Sequence, residues 1–448
     1  MTDLDRARRL AAEGSDEDAK LLYLHVLHDD PTHCAALNEL GTLALAGDYV
    51  SAARTAYAQA VRHHPNHAPS RVNLANILRT LGDLPAARQH YEAALDADAG
   101  CAEAHQGLAH VLTDCGDTAG AEPHWRFGFE GHAVVPRPFR CTGPAPAILL
   151  LVSAKGGNIP TRRLLDDRVF AVTGLFAEYC DPDQTLPPHA LVFNAIGDAD
   201  LCPEALAAAE RVLVRTRAPV INKPAAVRRT GRVDNAHRLG VLPDVVAPAI
   251  RQLRKASLGA LDCPLLLRAP GFHTGQHFVR VERSEDLDTA VASLPGDMVL
   301  AIEYLDARGT DGMARKYRVM IVDGALYPLH LAISGDWKVH YFTAGMHDDP
   351  AHRAEEKRFL DDMPAVLGPR AMAALAAIAR CLGLDYGGID FALGPDGRVL
   401  LFEANATMIV APPAPGPMWD YRRPATDRVL YAVRAMLLRA RPLRTNMN

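Results

Sequence analysis

Small and aromatic residues recur along the first 133 positions of the chain at a spacing of 34 residues. Alanine occupies one series of these positions, and a tyrosine or tryptophan follows four positions later. The two series are Ala19, Ala53, Ala87 and Ala121, followed by Tyr23, Tyr57, Tyr91 and Trp125. Each unit also contains two stretches with helical apolar spacing, separated by a turn at a Gly-Asp pair. The pattern therefore predicts an array of helix pairs over residues 1–133.

The residue types explain how such pairs pack. A small residue is needed where two helices touch, an aromatic ring fills the space beside it, and Pro31 and Pro65 end the second helix of a unit. A period of 34 with this content resembles the tetratricopeptide repeat, in about four units. Such arrays present a concave face. We expect the face to hold a peptide or protein partner. The alternative is a scaffold that covers the rest of the chain or that forms a homodimer.

A proline-rich stretch, residues 134–147, follows the array and is predicted to be a linker. Short apolar runs then alternate with helical stretches, which predicts a parallel α/β sheet over residues 148–245. The predicted strands are Ile148–Val152, Ala190–Ile196 and Val212–Thr216. After the first strand, Gly156-Gly157-Asn158 is either a backbone nest for an anion or an ordinary strand-to-helix turn.

The strongest local signal lies in residues 387–405, GGIDFALGPDGRVLLFEAN. A Gly-Pro-Asp-Gly turn joins two β-like stretches, which predicts an antiparallel hairpin. Pairing around the turn centre makes Asp390 and Glu403 diagonal neighbours, about 7–8 Å apart at the backbone. Asn405 shares their face because side chains alternate along a strand. Carboxylate and amide oxygens suit Mg²⁺, so these three residues are predicted magnesium ligands. The alternative is an ordinary hairpin with acidic residues.

Four further β-like segments lead up to the hairpin. Pro264–Val281 is strand, glycine-containing loop and strand, and Val299–Leu305, Lys316–Val322 and Ala325–Ser334 are single strands. This order resembles the ATP-grasp superfamily, with a pattern similar to D-alanine–D-alanine ligase and related carboxylate–amine ligases. The resemblance covers about residues 145–440. It implies a multidomain chain: an all-α tetratricopeptide solenoid, an α/β pre-ATP-grasp domain over 148–245, and an α+β ATP-grasp domain over 246–448 with a C-terminal helix.

The resemblance also implies an ATP site with magnesium, in the form of two ions. Position by position, the family's phosphate-contacting cations fall on Arg232, Arg268 and Lys338. The loop over the phosphates includes Gly271, Thr274 and Gly275. The adenine-binding segment falls on Glu303, Tyr304 and Leu305, and the ribose-binding acid falls on Asp306 or Asp311. The magnesium ligands fall on Asp390, Glu403 and Asn405.

The chain departs from the family pattern at three positions. Arg232 and Arg268 stand where the family has Lys, and Arg keeps the charge but binds with a different geometry. Only seven of the 48 basic residues are Lys. The exchange therefore has two explanations, a general drift toward Arg or a weakened catalytic site. Gly388 stands where the family's peptide ligases often carry an Arg, which argues against D-alanine–D-alanine ligation itself. Arg318 on the neighbouring strand is our candidate for the missing charge.

The function implied by the resemblance is an ATP-dependent carboxylate–amine ligase that acts through an acyl-phosphate and releases ADP. Arg268, Arg318 and Lys338 are expected to stabilise the transferred phosphoryl group. The substrates are a small-molecule carboxylate and amine. Alternatively, the chain modifies a ribosomal peptide or protein that the repeats recruit. A kinase, or a nucleotide-binding adaptor with a degenerate site, is a further alternative.

Composition narrows the partners. The formal net charge of −5 does not point to nucleic acid or an anionic membrane, and no apolar run reaches the roughly 20 residues of a membrane span. The eight Cys show no C-x-x-C spacing, as is usual for reduced thiols of a cytosolic protein. We therefore expect a cytoplasmic protein without nucleic-acid or membrane partners.

Overall fold

The chain divides into two compact units in the computed structural model, which describes residues 2–140, 143–259, 261–271, 276–339 and 344–440. The first unit comprises Met1–Leu149 and Asp166–His189, and the second comprises Leu150–Leu165 and Ala190–Asn448. Residues 166–189, which the sequence analysis assigned to the α/β domain, therefore belong to the same unit as the helical array.

Eight helices form consecutive packed pairs within residues 2–140 of the first unit. They are α1 (Asp3–Ala12), α2 (Asp16–Asp29), α3 (Cys34–Ala46), α4 (Val50–His63), α5 (Ala68–Thr80), α6 (Leu84–Ala97), α7 (Ala102–Asp114) and α8 (Thr118–Phe129). Helices α3, α5 and α7 begin 34 residues apart, as do α4, α6 and α8. The array resembles a tetratricopeptide-repeat solenoid, as predicted, and a mixed α/β region follows it.

The repeated aromatic residues are buried. Tyr57, Tyr91 and Trp125 each contact a partner 15 positions earlier in the chain, whereas Tyr23 donates to Glu39, 16 positions later. The hydroxyl of Tyr57 is 3.0 Å from Thr42 Oγ1, and that of Tyr91 donates to Asn76 Oδ1 at 2.6 Å. In the last unit the partner is His110, which packs edge-on against Trp125. Burial lowers the pKa of His110 to about 4, so a neutral imidazole occupies this apolar position. The period thus repeats both packing and hydrogen bonding.

The predicted linker is packed against its own unit. Its start forms strand β1 (Val134–Pro136), strand β2 (Ala147–Val152) follows, and β3 (Ala171–Phe176) pairs antiparallel with β1. Arg140 bonds to Asp16 of the array and to Asp167, each at 2.9 Å. These contacts attach the segment to helix α2.

The second unit contains the remaining strands and helices of the described chain. They are β4 (Leu191–Asn194), α9 (Pro203–Leu213), β5 (Val220–Ile221), α10 (Pro224–Arg228), α11 (Arg232–Gly240), β6 (Val245–Val246), β7 (Ile250–Arg254), β8 (Leu265–Arg268), β9 (Phe278–Val281), α12 (Leu287–Ala292), β10 (Met298–Glu303), β11 (Ala314–Val322), β12 (Ala325–Ser334), α13 (Pro350–Asp361), α14 (Met363–Leu382), β13 (Tyr386–Leu393), β14 (Val399–Asn405) and α15 (Arg423–Arg439). Strands β4 and β5 are parallel, although β5 was not among the predicted strands.

The predicted strand Val212–Thr216 is wrong, because Val212 and Leu213 end helix α9. The alanine-rich stretch before them buries Ala205, Leu206 and Ala209 at helical spacing, and Val212 continues that buried face. A short apolar run does not by itself distinguish a strand from the end of a buried helix.

Two antiparallel-rich sheets make up most of the second unit. One has the strand order β7-β10-β8-β9, and the other has the order β12-β11-β13-β14-β6. Long helix α14 belongs to this unit and is apolar enough to cross a membrane by length and composition alone. Its backbone is interrupted at Gly368. Leu375, Ile378 and Leu382 are fully buried in the unit, as in the core helix of a globular domain.

We expect Gly107→Ala to destabilise the helical array. An added Cβ would lie 2.2 Å from ring atoms of Tyr91, which is fully buried and bonded to Asn76. In an open helix the same change stabilises by roughly 0.5–1 kcal/mol, whereas overpacking costs about 1–3 kcal/mol. The net result is a lower free energy of unfolding, measured as a lower urea midpoint by far-ultraviolet circular dichroism.

Gly100→Ala is the matched control, because its Cβ would meet only Asp98 Oδ1, at 3.5 Å. This variant should stay within about 0.5 kcal/mol of wild type. A Gly107→Ala protein that is more stable than wild type would contradict the packing of Tyr91 against α7.

Candidate functional site

The hairpin predicted from residues 387–405 is present, but its register differs from the prediction. Asp390 lies directly opposite Glu403, not diagonal to it, and the next pair is Phe391 with Leu401. A β-bulge at Phe402 absorbs the extra residue. Asp390, Glu403 and Asn405 still share a face and line one cavity, as predicted. The bulge therefore brings the two carboxylates closer than an unbroken ladder would.

Asp390 is completely buried and is held by two cations from the neighbouring strand. Arg318 donates to both carboxylate oxygens, at 2.6 and 2.8 Å, and Lys316 Nζ lies 2.7 Å from Oδ2. Burial raises the pKa of Asp390, but these cations outweigh burial and hold it well below its usual range. Arg318 thus approaches the site from the adjacent strand, as proposed from the sequence, and its contact is with Asp390.

Lys316 was missed by sequence reasoning. The available signal was its spacing: Lys316 and Arg318 lie two positions apart on β11 and therefore point to the same face. The Asp390 side chain lies on this same face of the sheet, because Arg318 and Asp390 are cross-strand partners.

Glu403 has its own cation. Arg232 Nη2 donates to Glu403 Oε1 at 2.8 Å, and Asn405 Nδ2 donates to the same oxygen at 3.0 Å. Burial raises the pKa of Glu403, but the positive charge of Arg232 and its neighbours outweighs burial, so the pKa lies below its usual value. Arg232 begins helix α11, and its backbone N–H donates to Asp200 at 3.0 Å. A helix start and a strand thus meet at this carboxylate.

Two cavities adjoin at these residues, one of about 160 Å³ and one of about 440 Å³. Both are lined by Arg268 from the end of β8, by Lys316 and by Lys338 after β12. Burial lowers the pKa of Arg268 to about 10, and the neighbouring Arg232 acts in the same direction. The structure therefore brings the predicted Arg268 and Lys338 together with Glu403 at one junction.

The smaller cavity is lined by apolar side chains and by the predicted adenine-binding segment. Its apolar lining includes Ile250, Leu266, Ile302 and Phe402, and the segment Glu303–Leu305 lies along it. Glu303 accepts a hydrogen bond at 2.9 Å from the N–H of Ala249, the residue immediately before β7. Arg280 stacks over the ring of Tyr304 at 3.9 Å. This cavity can hold a flat apolar group beside a fixed backbone segment.

Several predicted residues do not line either cavity. Asp311 bonds to Arg315 at 2.8 Å, and Asp306 bonds to Arg308 at 2.6 Å. Both acids are exposed and follow β10 in a loop, so the ribose assignment has no support from the geometry. Gly271 has a left-handed backbone with φ of 80° and is exposed. The predicted Thr274 and Gly275 lie outside the described residues.

The loop Gly156-Gly157-Asn158 supplies another part of the larger cavity. Gly157 and Asn158 line it, together with Asp198. The side chain of Asn158 accepts from the N–H of Ser153 and donates to its carbonyl, both at 2.8 Å. The Asn158 amide therefore closes its own turn. Asp198 was not predicted, because no motif surrounds it.

The predicted magnesium ligands offer oxygen donors of the kind that a hard cation prefers. The described residues contain no group of three or more His, Cys, Asp or Glu that could hold a metal. Asp390 and Glu403 nevertheless face each other, and Glu403 Oε2 has no hydrogen-bond partner within the described part of the chain. Asn405 Oδ1 already accepts from Thr407. The two carboxylates fit Mg²⁺ as oxygen donors, and Asn405 is the weaker candidate.

Comparisons with known proteins add little. No protein family and no curated protein matches the chain. Among solved structures, the crystal structure of MamA is 20% identical and covers 28% of this chain and 74% of its own, with a TM-score of 0.27. MamA from Desulfovibrio magneticus RS-1 is 21% identical and covers 28% and 70%, with a TM-score of 0.25. At these TM-scores the similarity carries no argument about this chain.

Asp390→Asn should destabilise the second unit. The change keeps the shape of the side chain but leaves Arg318 and Lys316 without their buried carboxylate. Breaking a buried ion pair costs about 3–5 kcal/mol. We expect the urea midpoint at neutral pH to fall accordingly. Asp361→Asn, which removes an exposed partner of Lys357, should change stability by no more than about 1 kcal/mol.

The effect should also depend on pH. A lowered folded pKa gives stability that is complete above the unfolded value of about 3.9 and is lost as pH falls toward the folded value. The difference between wild type and Asp390→Asn should thus be constant at neutral and mildly acidic pH and should narrow below about pH 4. Urea unfolding across this range measures it. An undiminished difference in strong acid would show that Asp390 is not stabilised as an anion.

Proposed function

We propose that the chain is an ATP-dependent carboxylate–amine ligase of the ATP-grasp type. The observation that carries the proposal is the junction of the two cavities, where Arg268, Lys316, Lys338 and Glu403 line both of them. A cluster of cations between an apolar slot and a larger cavity suits a nucleotide whose phosphates point toward a second substrate. The order of strands along the chain, which resembles that of the ATP-grasp superfamily, also supports a nucleotide site.

The nucleotide would lie with its base in the smaller cavity. The apolar lining there suits a purine, and the backbone of Glu303–Leu305 offers hydrogen-bonding groups beside it. The phosphates would then reach Arg268 and Lys338 at the junction. The larger cavity would then hold the substrate carboxylate and amine.

Asp390 and Glu403 would hold Mg²⁺, which when bound would neutralise negative charge on the phosphates. Arg268 and Lys338 stabilise negative charge on the transferred phosphoryl group from fixed positions. Arg318 bonds to Asp390 directly, so it acts as a positioning residue that keeps this carboxylate ionised and oriented. Lys316 contacts Asp390 and also lines both cavities. It therefore both holds the Asp390 carboxylate and adds positive charge beside the phosphates.

The proposed reaction has two steps. A carboxylate oxygen of the substrate attacks the γ-phosphorus of ATP, the bond to the bridging oxygen breaks, and ADP leaves with the electron pair. The amine then attacks the acyl carbon, the bond to the phosphate oxygen breaks, and phosphate leaves with a proton from the amine.

His330 is buried on the lining of the larger cavity. Burial holds its pKa well below its usual range, so its imidazole is neutral there.

We propose that the repeat array holds a peptide or protein partner of the ligase. Asn38 of α3 accepts hydrogen bonds from Ser70 and Asn73 of α5, at 3.0 and 3.1 Å. These bonds join successive repeats to each other, and the proposal of a bound partner is supported by the extended concave surface that arrays of this kind form. A scaffold role for the array, including dimerisation, remains the alternative.

A nucleotide-binding adaptor is the second candidate, and one observation favours it. Both oxygens of Asp390 are already bonded to Arg318 and Lys316, an arrangement that neutralises the carboxylate without a metal. An adaptor would bind ATP and release no ADP. The same experiment therefore separates the two functions.

Arg268→Met and Glu403→Gln should each lower ADP release by about 10²–10³-fold, the usual effect of removing one preorganised electrostatic group. The measurement is ADP release with product mass detection, using ATP, Mg²⁺, and pooled amino acids and short peptides. A ligase yields a product mass equal to donor plus acceptor minus water, and a kinase yields a gain of one phosphoryl group.

Arg251→Met is the control, because Arg251 lies on β7 of the same sheet but is exposed and lines neither cavity. It should leave ADP release unchanged. Binding of ATP without ADP release from the wild-type protein, with small-molecule and peptide substrates alike, would reject the ligase in favour of the adaptor.

A further inference from the structure

The larger cavity is lined by apolar residues and a further cation in addition to Arg268, Lys316 and Lys338. Leu329, Met408, Ile409 and Ala411 give it an apolar wall, and Arg422 contributes a cation there. None of these five residues lines the smaller cavity. At about 440 Å³ the larger cavity has the size of a small-molecule site. A ligand there would place an apolar portion against the wall and a charged group near Arg422.

Arg422 is held in place by a buried acid. Its Nε and Nη2 both donate to Glu356 Oε2, at 3.0 and 2.6 Å, and Glu356 is fully buried. Tyr421 donates to the same oxygen at 2.5 Å, and the guanidinium stacks on Trp419 at 4.1 Å. Helix α13 supplies Glu356, and Arg422 immediately precedes α15, so two helices fix the guanidinium.

Stability alone does not account for this pair. A buried ion pair is often no more stabilising than apolar residues of similar size, because both charges lose their hydration. Burial raises the pKa of Glu356, and Arg422 opposes that rise. What the arrangement does provide is a planar cation in one orientation on the lining of a cavity, and a planar guanidinium matches a carboxylate.

We infer that the larger cavity binds an amino acid or short peptide through its terminal carboxylate, and that Arg422 is the residue that recognises this carboxylate. The inference rests on the proposed function, because the cations at the junction define the end where the reacting group lies. Charge agrees with an anionic ligand: five cations, Arg268, Lys316, Arg318, Lys338 and Arg422, line the cavity against three carboxylates.

The test compares free acids with their carboxamides. Isothermal titration of the full-length protein, with Mg²⁺ and a non-hydrolysable ATP analogue, measures the affinity of apolar amino acids and dipeptides and of the corresponding amides. The acid should bind about tenfold or more tightly than its amide, because a charged hydrogen bond is lost. In the double variant Arg422→Met/Glu356→Gln this preference should fall to about twofold or less.

The double variant is used because Arg422→Met alone would leave Glu356 buried without its cation. Its matched control is Arg439→Met/Asp323→Asn, which removes an exposed ion pair involving the same helix, α15. The control should keep the preference for the acid, and the melting temperature of each variant reports folding.

Each outcome separates the two proposals. Retention of the acid preference by the folded double variant would overturn the role of Arg422, as would equal binding of acid and amide by wild type. Acid-selective binding that depends on Arg422, without ADP release in a parallel assay, would support the Arg422 site and overturn the ligase. Absence of binding by every acid in the panel would overturn the Arg422 proposal whatever the ADP assay gives.

Discussion

The candidate site depends on one interaction, the contact of the buried Asp390 carboxylate with Arg318 and Lys316. A carboxylate with no exposed surface stays ionised only beside cations. This requirement fixes how strands β11 and β13 face each other, and the bulge in β14 then sets Glu403 directly opposite Asp390. Arg232 completes the group from helix α11. The pairing of three strands therefore brings together Lys316, Asp390 and Glu403, and Arg268 and Lys338 join them from the end of β8 and from the segment after β12.

The same cations serve two cavities of unlike character. The smaller is an apolar slot beside Tyr304, and the larger is lined by Arg422 and several apolar residues. Groups that approach from the two cavities would meet at Arg268 and Lys338. Fixed positive charge at a junction of this kind can stabilise charge that develops during phosphoryl transfer, because little reorganisation is needed. This is the physical basis of the proposed ligase chemistry.

The helical array follows a different principle. Its helices contact their neighbours along the chain, and its hydrogen bonds repeat with the sequence period, as at Thr42 with Tyr57 and Asn76 with Tyr91. Stability of such an array is the sum of many local contacts. In the second unit, by contrast, the contact of Arg318 with Asp390 spans 72 positions and that of Arg232 with Glu403 spans 171.

This difference explains what could be predicted. The array, the hairpin and the shared face of Asp390, Glu403 and Asn405 followed from the sequence by itself, because repeat spacing and strand alternation are local properties. The short run at Val212 was misassigned, since local apolarity suits both a strand and a buried helix end. Only the tertiary structure decided the bulge, the contact of Lys316 with Asp390, and the placement of Arg422 beside Glu356. These depend on distant segments meeting, and no local pattern of residues records which distant charge will neutralise a buried one.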